Sequence, residues 1–313
     1  MNWTRGEQLG KGGFGFVSKA KTHQENLPPV IAVKSSNVSS SESLLKEKQV
    51  LDELKGSPFI IQCFGDDFTT ENGEQLYNIL MEYASGGCLV DRIGQGLPEH
   101  IVRRYTKSIL TALSHIHKHG YVHCDIKPHN VLLVSNEDSW SRKNSKGTRK
   151  IEEEAKLADF GSCKKLKEGQ KDCDFRGTVL YAAPESITRQ EYSPESDVWS
   201  LGCTVLNMLT GKSPWKIDKN DEAKDVLFRI GISDAIPEIP STENISREAY
   251  DFLNKCFVKD PTARSKVHTL LHHPFVAKLG NSGHLASKIF SHGLHSIIPH
   301  CFHHPKTSLV HAT

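Results

Sequence analysis

The stretch His123-Cys124-Asp125-Ile126-Lys127-Pro128-His129-Asn130 places a carboxylate, an ammonium group and a carboxamide within six residues. Asp125 can accept a proton from a hydroxyl group, Lys127 can neutralise charge on a phosphoryl group, and Asn130 can offer an oxygen to a metal ion. An apolar run over residues 131–134 follows and predicts a strand that holds these groups in place. The stretch favours a phosphoryl-transfer loop, although a polar surface turn beside a buried strand is the alternative.

Length and composition limit the classes of protein that fit. A chain of 313 residues is long enough for one large domain or for two lobes with a cleft between them. Its formal net charge of +2 does not favour nucleic acid as a partner. The eight cysteines are dispersed without a CxxC pair, and no run of 18 apolar residues occurs. We therefore expect free thiols, no membrane span, and an intracellular location in the cytoplasm or nucleus.

Near the N-terminus, Leu9-Gly10-Lys11-Gly12-Gly13-Phe14-Gly15-Phe16-Val17 contains the pattern G-x-G-x-x-G-x-V. Missing side chains let backbone N–H groups approach phosphate oxygens closely. A dinucleotide-binding unit would need a long helix next, whereas an alternating, β-branched segment follows. The pattern favours a phosphate-covering loop, and a flexible hairpin is the alternative.

A predicted strand, Val30-Ile31-Ala32-Val33-Lys34, ends on a cation that needs a partner if it is buried. The apolar spacing over residues 43–54 predicts a helix, and Glu47 lies near the edge of its apolar face. Glu47 is therefore the best candidate for the partner, with Glu42 and Glu53 as further candidates. A solvated surface pair is the alternative.

The predicted boundary between two lobes follows a strand over residues 76–83. Ala84-Ser85-Gly86-Gly87 ends this strand with residues typical of a linker. In this arrangement Met81 would face the cleft, and the backbone of Glu82 and Ala84 would offer hydrogen bonds to a flat heterocycle.

Three more segments complete the predicted site. A helix is expected over residues 98–120, because apolar residues recur at helical spacing and Gly120 supplies a stop. A polar insertion, roughly residues 135–154, fits a solvated hairpin loop or a docking segment. Lys156-Leu157-Ala158-Asp159-Phe160-Gly161 then gives a strand, an acid and a glycine hinge, and Asp159 is a second oxygen donor for magnesium.

The segment 197–206 is apolar nearly all round, which predicts a buried helix. Asp197 at its start would be costly in the interior unless it accepts hydrogen bonds. Backbone N–H groups of the 123–130 stretch are the expected donors. Arg264 is expected to form a structural ion pair with Glu185.

Six features of the sequence stand in the order of the eukaryotic protein kinase family. They are the glycine loop, the VIAVK strand, the 123–130 stretch, DFG at 159–161, APE at 183–185 and DVWSLG at 197–202. The chain resembles that family over about residues 3–276. The resemblance implies an α+β, two-lobed protein kinase fold with a small antiparallel β-sheet lobe plus one helix (about 3–84). The larger, mainly helical lobe would span about 85–276, followed by a His-rich tail, 277–313.

The same resemblance implies ATP and Mg²⁺ as cofactors, and phosphoryl transfer to protein hydroxyls. By position, Lys34 would hold the α- and β-phosphates and pair with Glu47. Asp125 would orient and deprotonate the acceptor hydroxyl with Lys127 beside it, and Asn130 and Asp159 would bind magnesium. The implied nucleotide contacts are Leu9, Gly10, Lys11, Gly12, Gly13, Phe14, Gly15, Val17, Ala32, Lys34, Met81, Glu82 and Ala84.

Lys127 and Thr178 resemble the serine/threonine branch of the family. The opening MNWTRG, the HCDIK loop, ESDVW at 195–199, GCTV at 202–205 and VLFRIG at 226–231 resemble plant mitogen-activated protein (MAP) kinase kinase kinases of the MEKK-like group. That group implies MAP kinase kinases as protein substrates, in stress or hormone signalling. The chain departs from related enzymes at Val179, where Pro is usual, and at Ala182, where Met is usual.

Two other functions are compatible with parts of the sequence. A kinase-fold scaffold that binds signalling partners is the alternative, but an intact set of Lys34, Glu47, Asp125, Asn130 and Asp159 favours the enzyme. A small-molecule kinase is disfavoured, because the segment from Thr178 to the APE motif is the one that shapes a groove for a peptide.

A regulatory feature of most kinases is absent from the sequence. Most members carry Arg immediately before the catalytic Asp, where it pairs with a phosphate on the activation loop, whereas Cys124 stands there in this non-RD chain. A neutral thiol cannot make that charge-assisted contact. No Ser, Thr or Tyr lies between Cys163 and Gly177. We expect activity without activation-loop phosphorylation; the alternative is that Lys164, Lys165 or Arg176 compensates.

Overall fold

A computed structural model describes residues 2–12, 15–135, 153–166, 174–218 and 220–277 of the chain. Gly13 and Phe14, most of the polar insertion, and the tail beyond residue 277 lie outside the described residues.

The first lobe is built on one five-stranded antiparallel sheet with the strand order β1-β2-β3-β5-β4. Its strands are β1 (Trp3–Gly12), β2 (Gly15–Thr22), β3 (Val30–Asn37), β4 (Cys63–Glu71) and β5 (Glu74–Glu82). The helix α1 (Glu42–Glu53) lies between β3 and β4 in the chain, one residue earlier than the helix expected over 43–54.

Both faces of this sheet carry apolar side chains. Tyr77 and Ile79 of β5 pack in the main core with Leu44 and Leu51 of α1. Side chains that point the other way, such as Leu80, form a separate small cluster with residues of β1, β2 and β3. Successive side chains of a strand alternate between faces, so α1 covers only one of them.

The second lobe is mainly helical. Its elements are β6 (Gly87–Cys88), α2 (Leu89–Ile93), α3 (Glu99–Lys118), β7 (Tyr121–Val122), β8 (Val131–Ser135), β9 (Glu153–Leu157), β10 (Lys164–Lys165), α4 (Pro184–Thr188), α5 (Pro194–Thr210), α6 (Ala223–Gly231), α7 (Arg247–Cys256), α8 (Val267–Leu271) and α9 (Pro274–Ala277). The short strands pair as β6-β8-β9 and as β10-β7. The α+β architecture, with a sheet lobe and a helical lobe, is as predicted.

The helix α5 is the centre of the helical lobe, and most of its residues from Ser196 to Met208 are buried. Gly202 lets it approach α7 closely, since a Cβ at this position would lie 2.6 Å from Cβ of Cys256. The buried helix predicted over 197–206 is therefore confirmed.

The helix α3 leads into the loop that carries the candidate catalytic groups. Its apolar stripe is buried, Pro98 precedes its first residue, and Gly120 follows its end with φ of +75°. This left-handed backbone conformation favours glycine, which explains why the helix stops there.

The ends of the polar insertion differ from the prediction of 135–154. Ser135 pairs with Glu153 and Val134 pairs with Glu154 in an antiparallel β8–β9 ladder. Polar composition was a poor guide at these ends because backbone pairing, rather than side-chain polarity, decides where a strand stops. Among the described residues, no helix is both long enough and apolar enough to cross a membrane.

Candidate active site

Three charged side chains from three different elements meet between the lobes. The Nζ atom of Lys34, on β3, lies 2.5 Å from Oε2 of Glu47, on α1, and 3.0 Å from Oδ1 of Asp159, after β9. The side chains of Lys34 and Glu47 are 11% and 3% exposed. The predicted pair is therefore confirmed, and the solvated alternative is wrong. Glu42 and Glu53, the other candidates, pair instead with Lys46 and Lys165.

In this cluster Lys34 and Asp159 stabilise each other's charged forms, whereas burial raises the pKa of Glu47. Burial by itself would lower the pKa of the Lys34 ammonium, but the carboxylates of Asp159 and Glu47 outweigh it and raise that pKa. Burial would raise the pKa of Asp159, yet the Lys34 ammonium lowers it. At neutral pH the cluster therefore presents an ammonium group and an ionised Asp159 carboxylate to the cleft.

The turn after β9 positions Asp159. Its φ of +61° is left-handed, which is uncommon for a residue with a side chain and costs on the order of 1–3 kcal/mol. The next residue, Phe160, is 1% exposed and packs edge-on against the ring of His123 at a centroid distance of 5.0 Å. The buried ring anchors the turn, so Asp159 keeps this conformation beside Lys34.

The Asp125 carboxylate is held from three directions. Its Oδ2 accepts hydrogen bonds from Lys127 Nζ at 2.8 Å and from Asn130 Nδ2 at 3.0 Å. Its Oδ1 accepts the hydroxyl of Thr178 at 2.8 Å, and Lys127 Nζ also lies 2.6 Å from that hydroxyl oxygen. The side chain is therefore restricted to one orientation before any substrate arrives.

The amide of Asn130 is also oriented. Its Nδ2 donates to the backbone carbonyl and to the carboxylate of Asp125, so its Oδ1 is the atom left to act as an acceptor. The backbone carbonyl of Asn130 accepts the N–H of Ala158 at 2.9 Å, which places Asn130 next to the residue before Asp159. The two predicted oxygen donors for magnesium therefore come from adjacent segments.

The buried carboxylate of Asp197, in the first turn of α5, supports the backbone of the catalytic loop, which is the stretch 123–130. Its two oxygens accept the backbone N–H groups of His123 and Cys124, each at 2.9 Å, and Oδ2 lies 2.8 Å from Nε2 of His117. Cys124 has a left-handed φ of +67°. The predicted donors to Asp197 are confirmed, and they hold an otherwise strained backbone in place.

A second buried charge is paired as predicted. Arg264 donates two hydrogen bonds to the carboxylate of Glu185, at 2.7 and 3.0 Å, and both side chains are at most 3% exposed. This fork-like contact ties α4 to the segment after α7 and lies outside the cleft, which fits a structural role.

The glycine-rich segment forms the hairpin between β1 and β2. Leu9, Gly10, Lys11 and Gly12 end β1, and Gly12 faces Gly15 in the ladder. A Cβ at Gly15, whose φ is +134°, would lie 2.0 Å from the backbone oxygen of Ser35, so only glycine fits there. Gly13 and Phe14 lie outside the described residues.

The remaining predicted nucleotide contacts lie on neighbouring strands. Val17 pairs with Lys34, and Ala32 pairs with Met81, so these side chains share one region of the sheet. The backbone N–H of Glu82 already donates to the Gln62 carbonyl at 2.9 Å. A heterocycle at this strand end would therefore meet Glu82 through its carbonyl, while Ala84 lies two residues further along.

Sequence reasoning missed three contacts near the site. Nε2 of His117 meets Asp197, the hydroxyl of Tyr192 accepts the backbone N–H of Arg176 at 2.6 Å, and Lys156 forms an ion pair with Glu82. Lys156 was the detectable one, because it lies in a segment predicted to be a strand next to a buried run. The other two have no sequence pattern that distinguishes them from surface residues.

Comparison with known sequences agrees with this geometry. The sequence profile described as protein kinase domain matches residues 3–276. The chain is 44% identical over 286 residues to mitogen-activated protein kinase kinase kinase 20 of Arabidopsis thaliana, covering 88% of this chain and 78% of that protein. It is 39% identical over 281 residues to kinase kinase kinase 17 of the same plant, covering 88% of this chain and 70% of that protein. With a profile match over nearly its whole length, the chain belongs to the protein kinase family.

Proposed function

We propose that this protein is a serine/threonine MAP kinase kinase kinase that transfers the γ-phosphoryl group of ATP to hydroxyl groups of MAP kinase kinases. The observation that carries the proposal is the cluster of Lys34 with Asp159, which the bond between the N–H of Ala158 and the carbonyl of Asn130 places beside the residues that hold Asp125. The level in the cascade is supported by the names of the two plant relatives described above, both of which are mitogen-activated protein kinase kinase kinases.

In this proposal each residue has a defined task. Lys34 holds the α- and β-phosphates, and Glu47 keeps its ammonium in place at 2.5 Å. Asp125 accepts a hydrogen bond from the acceptor hydroxyl and takes its proton as the new oxygen–phosphorus bond forms and the bond to ADP breaks. Lys127 lies between Asp125 and Thr178, where it can offset negative charge on the transferred group.

Asn130 and Asp159 fit a magnesium ion that also binds phosphate oxygens. Mg²⁺ prefers oxygen ligands and is usually held by one or two protein groups together with substrate phosphates. Asn130 Oδ1 and the Asp159 carboxylate supply that donor set. When bound, the ion would neutralise charge on the β- and γ-phosphates.

Thr178 supports specificity for serine and threonine. Its hydroxyl donates to Asp125 and contacts Lys127, so it joins the peptide-binding segment to the catalytic loop. The serine and threonine side chains that would accept the phosphoryl group are short, so the substrate peptide has to lie close to Asp125.

We further propose that activity does not require phosphorylation of the activation loop. Tyr192 is buried in a small cluster with Val122 and with Cys124, the residue that stands where most kinases carry arginine. Through its hydroxyl, Tyr192 accepts the backbone N–H of Arg176 and so links the segment before Gly177 to the segment before α5. Contacts that involve no phosphate therefore support the loop.

The alternative is that Lys164, Lys165 or Arg176 compensates for the arginine that Cys124 replaces. Contacts in the same region reduce the number of these candidates. Lys165 is committed to Glu53 at 2.6 Å and lies over the ring of Tyr121. Lys164 lies over the ring of Tyr192, with Nζ 5.8 Å from the ring centroid. Of the three candidates, Lys164 and Arg176 are therefore the ones beside Tyr192.

The dispersed cysteines support the cytoplasm or nucleus as the location of the protein.

The test incubates the purified protein with Mg-ATP and a panel of intact MAP kinase kinases, with Asp125→Asn as the control. We expect phosphoserine or phosphothreonine on at least one substrate and none with the control. Equal phosphate with Asp125→Asn would mean a contaminating enzyme, and ATP binding without transfer to any substrate would favour the scaffold function.

Dependence on loop phosphorylation needs its own measurement. Activity after phosphatase treatment should equal activity before it. A loss of activity that phosphomimetic changes at Ser162 or Thr178 restore would contradict the proposal.

A further inference from the structure

A buried ion pair crosses the junction between the lobes, outside the cluster formed by Lys34. Lys156 Nζ, on β9, lies 2.7 and 2.9 Å from the two carboxylate oxygens of Glu82, at the end of β5. The two side chains are 10% and 16% exposed. Because burial removes much of the water that screens charge, the Coulomb attraction between these two groups is stronger than in a surface pair, while the cost of taking both charges out of water offsets much of it.

The pair belongs to a three-way junction. Glu82 also accepts the backbone N–H of Gln62 on Oε2 at 3.2 Å, and it donates its own N–H to the Gln62 carbonyl at 2.9 Å. The neighbouring backbone of Phe59 and Ile61 exchanges hydrogen bonds with Leu157 of β9, both at 2.9 Å. The loop between α1 and β4 therefore connects β5 to β9 through the backbone, while Lys156 and Glu82 connect them directly.

The two ends of this junction lead to opposite ends of a bound nucleotide. The backbone at Glu82 and Ala84 is the proposed contact for the heterocycle, and Asp159, three residues after Lys156, is a proposed ligand of the metal at the phosphates. A rigid connection between them fixes the distance that a nucleotide has to span. Replacing a buried ion pair by apolar side chains of similar volume is often neutral for stability, so a geometric role explains this pair better than a contribution to stability does.

We infer that Glu82 and Lys156 are positioning residues, whose buried ion pair sets the spacing between the heterocycle contact and the phosphate contact of the ATP site. The inference rests on the proposed function only in that ATP is the ligand. It predicts a dependence on ligand length that a general loss of stability would not produce. Adenosine reaches one end of the junction, whereas Mg-ATP reaches both.

The experiment compares Glu82→Gln and Lys156→Met, both of similar size to the native side chain, in the full-length protein. We expect the Kd for Mg-ATP to rise about tenfold and kcat to fall, because misplacement of reacting groups by a fraction of an ångström is costly. The Kd for adenosine, measured by calorimetry, should stay close to that of the wild type. The backbone-to-backbone bonds of the junction do not depend on these side chains, and Glu82→Gln keeps an oxygen that can accept the N–H of Gln62, so both variants are expected to fold.

Two further variants sharpen the result. The double variant Glu82→Gln/Lys156→Met should bind Mg-ATP about as well as either single variant, because residues that act as one unit are not additive. Lys156→Arg, which keeps the charge, should recover much of the affinity. The matched control is Glu191→Gln, which removes the negative charge from the Arg189–Glu191 ion pair. The side chains of this pair are 54% and 59% exposed.

The outcomes separate this inference from the proposed function. Equal losses of adenosine and Mg-ATP affinity, or a lowered melting temperature with unchanged Mg-ATP affinity, would overturn the positioning role. A fully additive double variant would overturn the pair as a unit. Absence of Mg-ATP binding by the wild-type protein would instead overturn the proposed function.

Discussion

The carboxylate of Asp197 offers the sharpest test of how the catalytic loop is held, through the substitution Asp197→Asn. Asparagine keeps one acceptor oxygen, but its NH₂ group would face the backbone N–H of His123 or Cys124, both of which now donate to the carboxylate at 2.9 Å. One charge-assisted bond, worth about 1.5–3 kcal/mol, is lost, and a buried N–H is left unsatisfied at about 1–3 kcal/mol. We therefore expect a destabilisation of about 3–5 kcal/mol, in line with the removal of one partner of a buried charge.

The assay combines thermal unfolding with steady-state kinetics. For a domain of this size, about 4 kcal/mol corresponds to a fall in Tm of about 10 °C. The left-handed backbone of Cys124 depends on the same bonds, so well below Tm we also expect kcat to fall by about 100-fold. Affinity for adenosine should be retained, because the contacts proposed for the heterocycle lie on β5.

The matched control is Asp251→Asn. Asp251 also faces a histidine, His273, at 2.8 Å, but its side chain is 57% exposed, so we expect a cost below about 1 kcal/mol. The reasoning would be refuted if Asp197→Asn kept the wild-type kcat below its Tm, or lowered Tm no more than Asp251→Asn does.

Three other predictions follow from single contacts. In Gly177→Ala, the new Cβ would lie 2.3 Å from the Cys124 backbone oxygen, at a residue whose φ is +95°. We therefore expect kcat/KM for a protein substrate to fall about tenfold or more, while the affinity for adenosine is unchanged. Unaltered kinetics would argue against this close contact. In the wild type, the lowered pKa of Asp159 means that its ionised form stabilises the fold above the ordinary aspartate pKa and that this contribution is lost as pH falls through the native pKa. Lys34→Met removes the largest influence that opposes burial and leaves the weaker one of Lys127, so ¹³C NMR titration should find the Asp159 pKa raised relative to the wild type, and a pKa that stayed low would exclude Lys34 as the cause. Burial raises the pKa of the Cys163 thiol well above its ordinary value. Mass spectrometry should therefore detect much slower alkylation by iodoacetamide at pH 8 in the native protein than in urea. Equal rates would show that the thiol is accessible and ionised.

Contacts between buried charges were the most predictable part of the site. Lys34 and Asp197 each lie on or beside apolar segments, where an ionised group must find a partner. Few complementary groups lie in equally apolar segments, so Glu47 and the loop N–H groups could be chosen from the pattern, whereas Arg264 lies in a polar segment and was paired with Glu185 without such a signal. The pairs found in the fold agree with these choices.

Contacts made by partly polar segments were not predictable. Lys156 lies in a predicted strand and was detectable as a buried charge, but its partner Glu82 is 74 residues away and resembles an ordinary charged residue at the end of a strand. Tyr192 contacts Arg176 through a backbone N–H, which every residue except proline has, so no side-chain pattern marks it. The strand pairing of Glu153 and Glu154 was missed for the same reason.

The order of the motifs and the burial that the apolar segments require are enough to specify the two-lobed architecture and the chemical groups of the cleft. These features are local, because a glycine that needs a left-handed φ or a charge on an apolar strand is visible in a few residues. The spacing of those groups and the contacts that hold them are set by the packed fold, through the junction of Glu82 with Lys156 and the anchoring of Cys124 by Asp197. Distances across elements far apart in the chain depend on packing, and packing is a property of the whole fold.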